Sequence, residues 1–128
     1  MESIVVQWVE RADYDLDAAR YLLNGGRYLY VAFMCQQVVE KLFKAAIATQ
    51  GKVPLFVHNL LRLSDEAGLT AQLTDEQRLL LADLNPYYIK ARYGEYKESL
   101  SKVCDASEAR RLMQGTEELS AWLKQQIR

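Results

Sequence analysis

The chain has 128 residues, of which 50% are hydrophobic and 26% are charged, a composition typical of soluble globular domains. Sixteen basic side chains against seventeen acidic ones give a formal net charge of -1, which argues against a generally basic surface for nucleic acids. Two distant cysteines and one histidine cannot form a His/Cys zinc site, so we expect no metal and no cofactor.

Targeting and membrane segments are not apparent in this sequence. The N-terminus has no basic region followed by an apolar core, so no signal peptide is predicted. The longest apolar runs fall well short of the ~18 residues that a membrane-spanning helix needs. We therefore expect a single domain over residues 1–128, located in the cytoplasm and not bound to a membrane.

The hydrophobic pattern predicts five helical segments, and the first ends at residues 24–26, where Asn-Gly-Gly favours a left-handed turn. Its apolar stripe repeats at intervals of three and four residues: Trp8, Ala12, Leu16, Ala19, Leu22 and Leu23. Asp13, Asp15 and Asp17 would point in different directions on this helix, so they are not expected to share a metal ion.

The second predicted helix covers about residues 27–50 and has an unusually wide apolar surface. The residues that form it are Val31, Phe33, Cys35, Val38, Val39, Leu42, Phe43, Ala45, Ala46 and Ile47. This surface is wider than one antiparallel neighbour needs, which predicts that part of it forms a dimer interface.

Polar residues of the second helix and the single histidine form a further set. Gln37, Glu40, Lys41 and Lys44 share one broad face, and Glu40 precedes Lys44 by four residues, the favourable order for a helix ion pair. Spacing alone favours a solvated face. His58 stands at the start of the next segment, which favours a cap or a hydrogen-bonded, packed side chain over a catalyst.

The remaining helices are predicted from capping residues, from Pro86 and from the spacing of apolar residues. A short third segment covers residues 58–66, and Thr74 with Gln77 forms a capping-box pattern at the start of the fourth helix. That helix has Leu79, Leu80, Ala82 and Leu84 on its apolar side, and Pro86 ends or kinks it. The last helix begins near residue 105 or 107 and has these apolar residues: Ala109, Leu112, Met113, Leu119, Trp122, Leu123 and Ile127.

No run of alternating apolar residues bounded by hairpin turns competes with these helices. The segments therefore predict an all-α fold, an antiparallel, up-and-down four-helix bundle with a short additional helix.

The candidate binding residues cluster in the segment NPYYIKARYGEY, residues 85–96. An arginine guanidinium is planar and always charged. Its N–H groups can donate several hydrogen bonds to a phosphate, and its plane can stack on an aromatic ring. In the functional interpretation, Arg92 binds a phosphate with support from Lys90 or Lys97, while Tyr88 or Tyr93 stacks on a base. In the structural interpretation, the tyrosines pack on the bundle and Arg92 pairs with a nearby carboxylate such as that of Glu95.

The order and spacing of several short motifs resemble the HEPN domain, the family named for higher eukaryotes and prokaryotes nucleotide-binding. They are Trp8, Ala12, Asp15-Leu16 and Ala18-Ala19; Gly26, Tyr28 and Ala32-Phe33; Gln37-x-x-Glu40-Lys41-x-x-Lys44; His58-Asn59-Leu60 with Leu63; and Arg92-Tyr93. The resemblance implies a helical bundle that forms a homodimer and pairs with a small nucleotidyltransferase, in a toxin–antitoxin or defence setting. No nucleotidyltransferase segment is visible in this sequence.

Many members of that family are metal-independent ribonucleases with an R-x4-6-H motif, and this sequence departs from it. Arg92 fits the arginine, but Lys97, Glu98 and Ser99 stand at the allowed histidine positions. A lysine with an ordinary pKa is mostly protonated at neutral pH and is a poor general base. Arg92 begins instead a sequence that resembles the RYP-type signature, with Gly94 in place of proline.

The resemblance and the missing histidine together predict a non-catalytic nucleotide-binding and interaction module. The alternative is a divergent metal-independent ribonuclease, in which Arg92 stabilises the charge that develops on phosphorus. In that alternative Lys97 or Tyr96 would assist the reaction. Nucleotide or RNA is the expected ligand of both.

Overall fold

The computed structural model describes residues 3–88 and 94–127, and for residues 94–96 it describes the backbone alone. These residues form six α-helices, two short 3-10 helices and no strand, which confirms the predicted all-α helical bundle. The α-helices are α1 (Ser3–Asn24), α2 (Tyr28–Thr49), α3 (Leu60–Glu66), α4 (Asp75–Leu84), α5 (Gly94–Val103) and α6 (Ala106–Ile127). The 3-10 helices are Thr70–Gln72 and Asn85–Tyr87.

α2 is the central element, packed against α1 on one side and α6 on another, with α3 and α4 covering further parts. Sixteen of its 22 residues are buried. The wide apolar surface of α2 is therefore covered within one chain, because the five other α-helices all pack on it. The inference that this surface leaves a face for a second copy is wrong, and a dimer would need another interface.

The predicted helix ends agree with the structure. α1 ends before Gly26, whose φ of 73° is the left-handed conformation that glycine adopts without strain. The hydroxyl of Thr74 accepts from the backbone N–H of Gln77 at 3.1 Å, and the Gln77 side chain accepts from the N–H of Thr74 at 2.9 Å. The capping box is thus confirmed, and it fixes where α4 begins.

Two details of α4 and α5 differ from the sequence prediction. α5 is a sixth helix that the hydrophobic pattern did not indicate, because its described side chains include a single buried apolar residue, Leu100. Leu79 is 58% exposed, although it was assigned to the apolar side of α4. That helix buries Leu80, Leu81 and Leu84 instead, and this set leaves Leu79 facing solvent.

The aspartates of α1 have separate partners. Asp13 pairs with Lys124, Asp15 pairs with Lys41, and Asp17 lies 3.9 Å from Arg20. No group of His, Cys, Asp and Glu in residues 3–88 and 94–127 could hold a metal ion. Within the same residues, no helix is long and apolar enough to cross a membrane.

Candidate functional site

A buried polar network lies along one side of α2, where Gln36, Glu40 and Lys44 follow one another at intervals of one helical turn. Their exposed fractions are 0%, 5% and 7%. The amide of Gln36 donates to Glu40 Oε1 at 3.1 Å, and Lys44 Nζ donates to Glu40 Oε2 at 3.0 Å. The expected solvated face is therefore wrong for Glu40 and Lys44, because α2 is covered on this side by neighbouring segments.

The other two residues of the predicted polar face are half-buried and extend the network. Gln37 donates to the side-chain oxygen of Gln36 at 2.9 Å. Lys41 pairs with Asp15 of α1, and both side chains are mostly buried. This side of α2 is therefore held by polar contacts to its own neighbours and to α1.

His58 joins the network from the loop that precedes α3. Its Nδ1 lies 2.9 Å from Glu40 Oε1, and its backbone carbonyl accepts from the Gln36 amide at 3.1 Å. Burial by itself raises the pKa of Glu40, but the hydrogen bonds from His58, Gln36 and Lys44 outweigh it and lower the pKa. The carboxylate is therefore ionised at neutral pH and can only accept, so Nδ1 of His58 carries the hydrogen.

The imidazole is half-exposed and stacks on Tyr88, with ring centroids 5.6 Å apart and ring planes 15° apart. Both rings line an open depression of about 560 Å³. Its other lining residues are Val57, Asn59, Arg62 and Asn85. Glu40 therefore positions a histidine whose second nitrogen, Nε2, contacts no partner in the described part of the chain.

The rim of this depression is held by side-chain amides. Asn85 Oδ1 accepts from the backbone N–H of Leu60 at 2.8 Å, and Asn85 Nδ2 donates to Asn59 Oδ1 at 3.3 Å. Asn59 caps α3 by accepting from the backbone N–H of Arg62 at 3.2 Å. The side chain of Arg62 is exposed, and no carboxylate with a described side chain, in residues 3–88 and 97–127, pairs with it. The depression thus combines an oriented imidazole, an aromatic ring and an exposed guanidinium.

The predicted nucleotide-binding residues are only partly assembled here. Tyr88 lies in the depression, whereas Lys90, Arg92 and Tyr93 lie outside the described residues. Lys97 does not line the depression; it belongs to α5, where its ammonium lies 5.3 Å from the centre of the Tyr30 ring.

Sequence reasoning missed Asn59, Arg62 and Asn85 as members of this site. One signal could have indicated Arg62, since it follows His58 by four residues at a helix start, a spacing that brings side chains together. Asn85 had no local signal, because it is brought to Asn59 by the packing of α4 on α3.

A second depression, of about 390 Å³, is mostly apolar and lies between the start of α1, the end of α2 and the loop after α2. We call the exposed apolar residues around it the apolar patch: Ile4, Val53, Leu55 and Phe56. Phe56 is fully exposed and Val53 is 86% exposed. Lys44 also lines this depression, so the Glu40 carboxylate lies between the two depressions.

The fold and the site together define a helical domain whose central helix carries a buried carboxylate and positions a histidine at the surface. Residues 5–126 match the family model of the HEPN domain, so the chain belongs to the HEPN domain family. No curated protein matches the sequence.

Two solved structures are similar over nearly the full length of the chain. TT1696 from Thermus thermophilus has a TM-score of 0.83 at 21% identity, covering 98% of this chain and 99% of that one. ST0689, an archaeal HEPN homologue, has a TM-score of 0.74 at 25% identity, with both chains covered completely. These likenesses support the helical fold described above.

Proposed function

We propose that this HEPN domain is a non-catalytic nucleotide-binding and interaction module. The observation that carries the proposal is the depression in which Tyr88 stacks on the oriented imidazole of His58 beside the exposed guanidinium of Arg62. Tyr88 directly precedes the segment that contains Lys90, Arg92 and Tyr93. Aromatic rings and guanidinium groups in one cleft are the chemistry that binds bases and phosphates.

In the proposed binding mode, Arg92 and Lys90 contact phosphate, and Tyr88 or Tyr93 stacks on the base. Lys97 belongs to α5 and is placed over Tyr30, so its contribution would be through long-range attraction of the anion. This binding mode needs no metal ion, because cationic side chains supply the charge.

The interaction role is supported by the apolar patch. A fully exposed phenylalanine beside a mostly apolar depression is typical of a surface that binds another protein. We propose that the chain forms a homodimer and that it also binds a small nucleotidyltransferase, in a toxin–antitoxin or defence setting.

The test of this proposal measures nucleotide binding and partner capture with the same protein. Isothermal titration calorimetry with nucleoside mono- and triphosphates is expected to detect binding, and Arg92→Ala is expected to weaken it by about tenfold or more. Arg110→Gln, on the exposed side of α6, is the matched control. Absence of nucleotide binding together with no nucleotidyltransferase in a pull-down from the source cells would contradict the proposal.

One observation favours a ribonuclease as the second candidate. The imidazole held by Glu40 has no partner for Nε2 among the described residues, so Nε2 can act as a proton acceptor, the kind of group that the missing histidine would have supplied. Labelled RNA is incubated with the protein in EDTA, beside Arg92→Ala and His58→Ala variants. Cleavage that persists in EDTA and is lost in these variants would identify a ribonuclease and overturn the non-catalytic proposal.

A further inference from the structure

We propose that the depression beside α3 is a phosphate-binding site, with His58 and Arg62 as its charged contacts and Asn59 as a neutral donor. The inference rests on the proposed nucleotide binding and deepens it. It assigns the phosphate of a nucleotide to residues that belong to α3 and the loop before it, and not to the Arg92 segment alone.

The first support is that the imidazole is held in place before any ligand arrives. Three contacts restrain His58: its Nδ1 bonds to Glu40, its carbonyl accepts from Gln36, and its ring stacks on Tyr88. The ring cannot turn away without leaving the Glu40 carboxylate buried with one hydrogen bond fewer. Nε2 is thereby left at the depression as the free end of an oriented ring, which lowers the entropic cost of binding.

The second support is the charge balance around the ring. His58 contacts Glu40, which also pairs with Lys44, and it lines the depression together with Arg62 and Tyr88. Lys44 neutralises the Glu40 carboxylate through its other oxygen, so that carboxylate does not repel an incoming anion. With the imidazole protonated, the network carries a net positive charge, and Arg62 adds a second cation at the depression.

The third support is the orientation of the amides. Asn59 Oδ1 accepts from the backbone N–H of Arg62 and from Asn85 Nδ2, which fixes the direction of its amide. Asn59 Nδ2 is then a donor with no partner among the residues that the structure describes. Two cations and a free amide donor suit the oxygens of a phosphate, which accept several hydrogen bonds at once. The volume of about 560 Å³ leaves room for the rest of a nucleotide.

The experiment follows the His58 imidazole by long-range ¹H–¹⁵N NMR and measures affinity by calorimetry, with AMP, inorganic phosphate and adenosine as probes. AMP and phosphate are expected to shift the His58 Nε2 resonance, and adenosine is expected not to. His58→Gln and Arg62→Gln should each weaken AMP and phosphate binding by about tenfold or more, the loss of one charged hydrogen bond. Arg110→Gln is the control of the same side-chain type.

The outcomes separate this inference from the proposed function. AMP binding that requires Arg92 but is unchanged in His58→Gln and Arg62→Gln would overturn the inference and leave the proposed function standing. Binding of inorganic phosphate at His58 with no detectable binding of AMP would support a phosphate site and contradict the proposed nucleotide binding. Adenosine binding as tight as AMP binding would overturn the inference. If His58→Gln is poorly folded, Arg62→Gln decides, because its side chain is exposed and makes no ion pair among the described residues.

Discussion

At the scale of single residues, Glu40 is the carboxylate on which the polar contacts of the site converge. Its two oxygens accept from His58, Gln36 and Lys44 at distances of 2.9 to 3.1 Å. A carboxylate that is 5% exposed is unfavourable unless it is paired, and here the pairing is complete enough to lower its pKa. The same contacts determine where the imidazole of His58 lies.

Replacing Glu40 should therefore be costly and pH-dependent. Glu40→Gln leaves the ammonium of Lys44 buried without a counter-charge, and we expect the free energy of unfolding at neutral pH to fall by about 3 kcal/mol. Because the folded-state pKa lies below the ordinary value of 4.5, the stabilisation is present above that pH and is lost as pH falls through the folded pKa. Urea unfolding across acidic and neutral pH measures both effects.

The control for that series is Glu10→Gln, at an exposed position of α1. It should change the free energy of unfolding by no more than about 0.5 kcal/mol. A difference between native protein and Glu40→Gln that stayed constant down to acidic pH would contradict the assignment of Glu40 as the ionised acceptor.

Cys35 gives a second prediction at the same scale. It is completely buried between α2 and α6, and burial, as the largest cause, raises the pKa of its thiol to about 12. The thiolate is the reactive form, so Cys35 should resist iodoacetamide near neutral pH in the folded protein and react once guanidinium unfolds it. Mass spectrometry of the alkylated protein counts the modified thiols. Fast modification of Cys35 in the native state would show that α2 and α6 separate readily.

At the scale of elements, α4 depends on its capping box and on its contact with α6. Gly115 lies in the middle of α6, where a glycine is usually unfavourable by about 0.5 to 1 kcal/mol relative to alanine. A Cβ at that position would come within 3.1 Å of the Leu80 side chain. The glycine therefore allows α4 to approach α6 closely, and the capping box determines which residues of α4 reach that contact.

Removing the cap of α4 should weaken the fold by a measurable amount. Thr74→Ala deletes the acceptor for the N–H of Gln77, and we expect the free energy of unfolding to decrease by about 1 kcal/mol. Thr74→Ser keeps the hydroxyl and should remain close to the native value. Equal losses in the two variants, measured by urea unfolding, would mean that the methyl group and not the cap stabilises this helix start.

At the scale of the whole molecule, the wide apolar surface of α2 is covered inside the chain, and the apolar patch is left at the surface. Phe56 and Val53 contribute little to the core because they are almost fully exposed. A surface of this kind is compatible with a homodimer or with a second protein, and the two occupants differ in stoichiometry.

Phe56→Ser separates a role in association from a role in folding. Because the side chain is fully exposed, we expect the free energy of unfolding to change by less than about 0.5 kcal/mol. If the patch binds a partner, the same variant should weaken association by about tenfold or more, as for an aromatic anchor. Analytical ultracentrifugation tests self-association, and a pull-down tests capture of a nucleotidyltransferase. Native association in both assays would contradict a role for the patch.

The sequence by itself determined the helical architecture. Apolar residues at intervals of three and four, the glycines after Asn24 and the Thr74–Gln77 box are local signals, and each acts within a few residues of the chain. The motifs from Trp8 to Arg92 were similarly sufficient to indicate the HEPN family, because their order and spacing can be read directly. The hydrophobic pattern did not predict α5, because its described side chains include one buried apolar residue and form no apolar stripe.

Only the tertiary structure decided which polar residues form the site. The spacing of Glu40 and Lys44 is the same in a solvated face and in a buried network, and burial depends on which distant segments cover α2. The bond from His58 to Glu40 spans 18 positions, and the stacking partner Tyr88 comes from beyond α4. Such contacts depend on how whole helices pack, so the site becomes visible only once the bundle is assembled.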